Sequence, residues 1–315
     1  MNKGVQIVEI SERQDGQRLD NVLMVLLKGI PRSAIYRLIR TGQVRINGKR
    51  CKPLTRVAAG DKLRIPPVRR REPGETNIPD NLIEQLRAAV LHENNDFLVL
   101  DKPAGIPVHA GTGFGFGIID IVRKAWSLTH IDLAHRLDRE TSGCLVLGKN
   151  RTALKLLQSM MQADQLSKSY FALVKGRLPD PRMEVDLPLR RSQLKGGERM
   201  VLVDPEGKPA LSIFTVLEQY RFSDFVEVQL VTGRTHQIRA HSAGIEHPIA
   251  GDDKYGDREF NQMMSRSGLN RMFLHAHKIE IPLSEGETIP VHAPLPTELR
   301  AVLDAIPPRE RTKRR

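Results

Sequence analysis

Little in this chain points to covalent staples or a bound metal. Only two of the 315 residues are cysteine, Cys51 and Cys144, and they lie far apart. That excludes a disulfide framework and a cysteine zinc site, and it fits a reducing cytosol. One Trp and four Tyr are too few for a surface that stacks many successive bases, as single-strand binders use. No apolar run reaches the ~18 residues of a membrane span. Residues 1–10 carry charges and lack a signal-peptide core, so neither a membrane partner nor export is expected. The glycine-rich stretch 111–117 lacks the closing Gly-Lys-Ser/Thr of a P-loop, and no G-x-G-x-x-G can be read in it, so a flexible loop is expected. His236 and His241 have the wrong helical spacing for a zinc pair, and no H-E-x-x-H occurs. No cofactor and no metal are expected.

What the chain does have is positive charge. Lys and Arg total 49 against 37 Asp and Glu, for a net +12 and a pI near 9.9. Such an excess favours a polyanionic partner, nucleic acid or an acidic surface. The length allows a sizeable core and two domains.

Residues 17–29 place Leu19, Val22, Leu23, Leu26 and Leu27 at helical spacing. A second short helix is predicted over 33–39, with Ser33 as cap and Arg32, Arg37 and Arg40 on its other face. Asn47-Gly48 between β-formers predicts a hairpin, and 61–65 a further strand. Residues 66–81, with their prolines and Arg69-Arg70-Arg71, read as an exposed basic linker. Beyond it come a helical stretch and a strand from Phe97 to Leu100. Residues 150–162 form an amphipathic helix, and strands are predicted from Tyr170 to Val174, 211–220 and 225–231. Residues 307–315 read as a basic tail.

One stretch organises the rest: His135-Arg136-Leu137-Asp138-Arg139-Glu140-Thr141-Ser142-Gly143, followed by the buried strand Cys144-Leu145-Val146-Leu147. A loop pinned by a buried strand is where a scaffold presents a reactive group. By composition alone, a solvated turn with self-paired charges is an equal reading. The string resembles the signature motif of the pseudouridine synthases, in the branch that includes the large-subunit ribosomal RNA enzymes. Lys102-Pro103 through His109, Lys168-Ser169-Tyr170 and Thr232-Gly233-Arg234-Thr235-His236-Gln237-Ile238-Arg239-Ala240-His241 resemble other segments of the same family, in the same order. Residues 18–65 are similar to the S-four-type RNA-binding module.

The resemblance implies an α+β fold. It has a small N-terminal RNA-binding domain over 1–65, a linker over 66–81 and a catalytic domain over 82–306, with a large mixed, mostly antiparallel sheet flanked by helices. It implies a cofactor-free isomerisation of uridine to pseudouridine in 23S ribosomal RNA or the pre-ribosomal large subunit, by a cytoplasmic enzyme expected to be monomeric. Asp138 is then the catalytic residue and Tyr170 packs against the target base; on residues alone Tyr170 would be a core tyrosine. Arg234 is the expected charge partner of Asp138, with Arg239 the second choice for that role and otherwise expected to bind the RNA substrate. Arg136 takes the place of the flipped nucleotide, Ile238 supports the base, and Arg32 and Arg37 contact RNA. Lys102 and His109 are architectural. The acids of residues 251–257 are expected in a surface turn, and a helix is expected to start near Thr235. The competing readings are an RNA-binding or assembly factor without turnover, and a glycosylase releasing free uracil.

Overall fold

The computed structural model describes residues 4–27, 30, 32–68, 78–111, 114–193, 199–283 and 286–309. The Arg69-Arg70-Arg71 run, the side chains of Arg32 and Ser33, and the tail from 310 lie outside the described residues. The chain divides into two units, Met1–Asn77 and Ile78–Arg315.

The first unit contains β1 (Gln6–Glu9), α1 (Leu19–Leu26), α2 (Arg32–Arg40), β2 (Arg45–Ile46), β3 (Lys49–Arg50) and β4 (Lys62–Ile65). Its strands form one sheet in the order β1-β4-β2-β3. Leu19, Val22 and Leu23 of α1 and Ile35, Leu38 and Ile39 of α2 share one core with Leu63 and Ile65. Asn47 (φ 48°) and Gly48 (φ 77°) both take left-handed backbone, as a two-residue hairpin with the right twist demands. Asp20 is buried in this unit and accepts hydrogen bonds from Arg18 (2.7 Å) and the Tyr36 hydroxyl (2.5 Å). Arg37 and Arg40 are exposed.

In the second unit the elements run α3 (Asp80–Ala88), β5 (Val90–Glu93), β6 (Phe97–Lys102), α4 (Ile118–Trp126), β7 (Asp132–Leu133), β8 (Ser142–Gly148), α5 (Arg151–Gln162), β9 (Ser167–Lys175) and β10 (Arg182–Asp186). They continue with β11 (Leu189–Gln193), β12 (Arg199–Val203), β13 (Leu211–Gln219), β14 (Ser223–Leu230), α6 (Gln237–Gly244), α7 (Arg258–Arg266), β15 (Leu274–Pro282), β16 (Thr288–His292) and α8 (Thr297–Ala305). The main sheet is ordered β10-β13-β14-β9-β15-β8-β6-β5, with β16 beside β15 and β7 beside β8. Its pairings are antiparallel except for β15 on β8, where His275 meets Ser142 and Ala276 meets Gly143. The fold is therefore α+β, with a mixed, mostly antiparallel sheet.

Both faces of that sheet are covered, which is why β8 is an unbroken apolar run. Leu145 and Leu147 turn to the face carrying α3, α4 and α6, together with Leu98, Leu100, Tyr170, Val226 and Val228. Cys144 and Val146 turn to the opposite face under α5. Each fully buried leucine stabilises the fold by about 1.5–3 kcal/mol relative to exposure, so a one-residue slip of β8 is strongly disfavoured. The β11–β12 hairpin, which sequence reading did not anticipate, forms a two-stranded sheet of its own, and Leu189 at its start also bridges Lys208.

Candidate active site

Asp138 lies in the loop between β7 and β8, and the loop is held from behind. The Lys102 ammonium is fully buried and donates to the carbonyls of Pro103 (2.6 Å), Arg139 (3.1 Å) and Thr141 (2.9 Å). Burial pulls its pKa down to about 7, against the attraction of Glu140. Three carbonyl acceptors nevertheless call for all three N–H donors of the charged form. Gly105 N–H also donates to the Arg139 carbonyl (2.9 Å). At the loop's end Gly143 (φ 105°) passes so close to β15 that a Cβ there would sit 2.2 Å from the Ala276 carbonyl oxygen. Only glycine fits.

On the open side, Asp138 is 20% exposed and meets α6. Arg239 Nη1 donates to its Oδ2 at 2.8 Å, and His236 Nε2 lies 3.5 Å from its Oδ1. The Arg239 guanidinium is committed elsewhere as well. Its Nε and Nη2 fork onto the Oδ2 (2.7 Å) and Oδ1 (2.8 Å) of Asp252, and its Cζ lies over the Tyr255 ring, 4.9 Å from the ring centre. Asp252 is fully buried and also accepts the backbone N–H groups of Lys254 (2.9 Å) and Tyr255 (3.0 Å). Burial would push its carboxyl up; Arg239 and these backbone donors outweigh that and hold it below the ordinary value. The same two carboxylates keep Arg239 above its ordinary pKa although burial opposes them. The Tyr255 hydroxyl accepts from Val201 N–H (2.8 Å) and sits 2.9 Å from His236 Nδ1. Burial holds His236 below the ordinary histidine value, with Asp138 opposing.

Tyr170 is buried on β9, on the same sheet face as α6, and Ile238 of α6 packs in the same core. Burial raises the phenol's pKa, and the Asp138 carboxylate adds to the rise. Arg136 is exposed on the Asp138 loop and makes no ion pair among the described residues.

Arg234 departs from expectation. It is exposed; its Nε donates to the Pro209 carbonyl (3.1 Å) and its backbone N–H to Gln237 Oε1 (2.9 Å), and Asp138 takes its guanidinium from Arg239 instead. The reason is local. His236 adopts left-handed backbone (φ 52°) and α6 starts at Gln237 rather than near Thr235, so the chain turns sharply between the two arginines. The turn at 251–257 is a second correction. Its Asp252 is a buried anchor rather than a surface acid, and neither Asp252 nor Tyr255 was singled out by sequence reading. The available signal was the Asp-Asp-Lys-Tyr string, but a buried role needs a cation that only the fold supplies. His275, near Ser142 Oγ (2.9 Å), and His277, against Glu227 (2.7 Å) and stacked on Phe171, are packed side chains. No group of three His, Cys, Asp or Glu that could hold a metal ion occurs among the described residues.

A carboxylate fixed on one guanidinium, partly open, and within electrostatic reach of the Tyr170 ring suits attack on, or proton removal from, a planar base or its sugar. Comparison with known proteins narrows the chemistry. Residues 96–244 match the RNA pseudouridylate synthase family and residues 17–63 an S4 domain. The chain is 43% identical over 310 residues to ribosomal large subunit pseudouridine synthase C of Pasteurella multocida (strain Pm70), covering 97% of this chain and 95% of that protein. It is 43% identical over 308 residues to the protein of the same name from Escherichia coli (strain K12), covering 96% and 97%. Among solved structures, human RNA pseudouridylate synthase domain containing 4 is similar with a TM-score of 0.60 and 26% identity, over 72% of this chain and 95% of that one. The matched segment runs from just before β6 to the end of α6 and so contains the Asp138 loop, and the full-length similarity includes both units: the chain belongs to the RNA pseudouridylate synthase family.

Proposed function

We propose that this enzyme converts uridines of large-subunit ribosomal RNA to pseudouridine, acting in the cytoplasm on that RNA or on the pre-ribosomal particle, with Asp138 as the catalytic residue. The N1–C1′ bond breaks, the uracil turns, and C5 bonds to C1′; C5 then gives up its proton and N1 regains one. Nothing is added or removed, so the reaction needs neither redox group nor phosphate donor. Asp138 acts either as a nucleophile toward the ribose or as the base of a glycal route.

The observation that carries this reading is the 2.8 Å bond from Arg239 to one oxygen of Asp138, with the carboxylate still 20% exposed. Closing a pocket over a carboxylate favours its neutral form, and an adjacent guanidinium opposes this. In this reading the target nucleotide leaves the stack. Tyr170 packs against the extruded base, Ile238 supports it, and exposed Arg136 fills the gap in the RNA, where a guanidinium can stack and hydrogen-bond at once. Arg32, Arg37 and the S4 domain contact RNA backbone, so binding is salt-dependent.

The test is Asp138→Asn in full-length protein on large-subunit ribosomal RNA fragments. RNA should still bind and pseudouridine formation should fall to background. Turnover by this variant would reject Asp138 as the catalyst. Binding without pseudouridine by the native protein would favour an assembly factor, and free uracil in the reaction a glycosylase. Mapping pseudouridines in ribosomal RNA from cells lacking the protein identifies the target uridines.

A further inference from the structure

At the turn Thr232-Gly233-Arg234-Thr235 a group of cations outside meets a single buried one behind, and none of them belongs to the Asp138 network. Outside it lies an open concavity of about 510 Å³, whose wall includes Arg190, Arg191, Lys208 and Arg234, with Glu206 as an acid among them. Arg191 Nη2 donates to Thr235 Oγ1 (2.8 Å), fastening the β11–β12 hairpin to the turn, and Arg190 pairs with Asp204. Arg234 spends its Nε on Pro209, and no ion pair engages its guanidinium among the described residues.

Behind the turn stands Lys168, on β9 two residues before Tyr170 and so on the same sheet face. It is only 8% exposed, yet its ammonium has no carboxylate within 4.0 Å among the described residues, and its nearest polar partner is the Met161 sulfur at 4.0 Å. Burial holds its pKa below the ordinary lysine value, and Asp164 opposes this from further away. Gly233 does not need left-handed backbone; what it provides is space. A Cβ at that position would lie 3.3 Å from the Lys168 nitrogen. A buried ammonium without a counter-charge is costly, and an arriving anion relieves that cost.

We propose that Gly233 marks a phosphodiester-binding subsite, in which Lys168 and Arg234 hold one backbone phosphate of the RNA while Arg191 and Lys208 guide the strand along the concavity. The polymer's identity rests on the function proposed above. Gly233 is three residues from His236, which lies 3.5 Å from Asp138. Three residues of chain span at most ~11 Å, so the captured phosphate belongs to the target nucleotide or a close neighbour. Arg234 is then a binding residue, which accounts for its absence from the Asp138 network.

The experiment measures binding of a large-subunit ribosomal RNA fragment to full-length Asp138→Asn protein, alone and combined with Lys168→Met, Arg234→Gln or Gly233→Ala. A set of fragments carries a single neutral methylphosphonate at successive positions. Each second substitution should weaken binding roughly tenfold, as losing a hydrogen bond to a charged group does. Lys168→Met and Arg234→Gln should also lower the slope of log K against log salt by about one. One methylphosphonate position should weaken binding by the parent but add nothing in Lys168→Met or Arg234→Gln. Lys168→Met should melt no lower than its parent, separating lost affinity from lost structure. The proposal is overturned if Lys168→Met and Arg234→Gln fold yet keep parental affinity and slope, or if every methylphosphonate effect adds to theirs. Coupling at one position in a protein whose native form makes no pseudouridine would sink the proposed function and leave the subsite. Turnover without coupling would do the reverse.

Discussion

Arg234 and Arg239 stand five residues apart in one motif and live in different worlds. Arg239 is on the first turn of α6, its side chain 12% exposed, with three charged hydrogen bonds shared between Asp138 and Asp252 and a tyrosine ring beneath it. Arg234 precedes the helix, is exposed, and bonds a backbone carbonyl. The buried guanidinium owes its rigidity to Asp252, because a fork onto a fully buried carboxylate fixes both the plane and the position of the Nη1 that reaches Asp138. A flexible cation, by contrast, can follow a polymer whose phosphates arrive at varying angles.

Substitutions can break this contrast. The largest expected effect comes from Arg239→Ala, which strands the buried Asp252 carboxylate. Unfolding free energy should fall by about 3–5 kcal/mol, read by denaturant titration, and pseudouridine formation should be lost with it. Arg239→Lys keeps the charge but not the fork, and should cost on the order of 10²-fold in kcat. Asp252→Asn preserves shape and frees the guanidinium; about a tenfold fall in kcat, with KM for RNA little changed, would show that Asp252 acts through Arg239. Acid sharpens the comparison further. The Asp252 carboxyl is held below its ordinary value, so the native state binds fewer protons than the unfolded chain as pH drops beneath ~4. Its stabilisation is complete above that pH and disappears as pH falls below it, and Asp252→Asn should flatten that limb of a melting-temperature profile. Smallest is the stability effect of Arg234→Ala, expected within ~0.5 kcal/mol of native as for other surface changes, even where RNA affinity falls.

How far the sequence reveals this site depends on where each residue's partners come from. The Asp138 loop is legible because the signal for its flank is local, even though its partners are not: the apolar run 144–147 reads as a buried strand, and the loop before it then emerges at that strand's end. The helix over 151–162 and the Asn47-Gly48 hairpin are legible for the same reason, since Asn150 caps the one and the other needs its two left-handed residues. Arg239 is harder. Choosing it over Arg234 requires knowing that His236, a residue with a Cβ, adopts φ 52°, which few such residues do. Asp252 looks like part of a charged surface turn until α6 delivers a guanidinium to it from thirteen positions earlier. The β11–β12 hairpin lacks strict alternation and offers only the Gly196-Gly197 dipeptide as a turn signal, and Lys168 reads as one more surface cation until β9 is placed inside the sheet.

The stitch between Gly143 and Ala276 fixes when the Asp138 loop can mature. Its downstream strand is gripped by a segment more than a hundred residues later in the chain, across a contact too tight for any side chain. During synthesis the loop therefore leaves the ribosome long before the strand that sets its final geometry. Activity is acquired only once β15 has been made, and a nascent chain ending short of it should be inert.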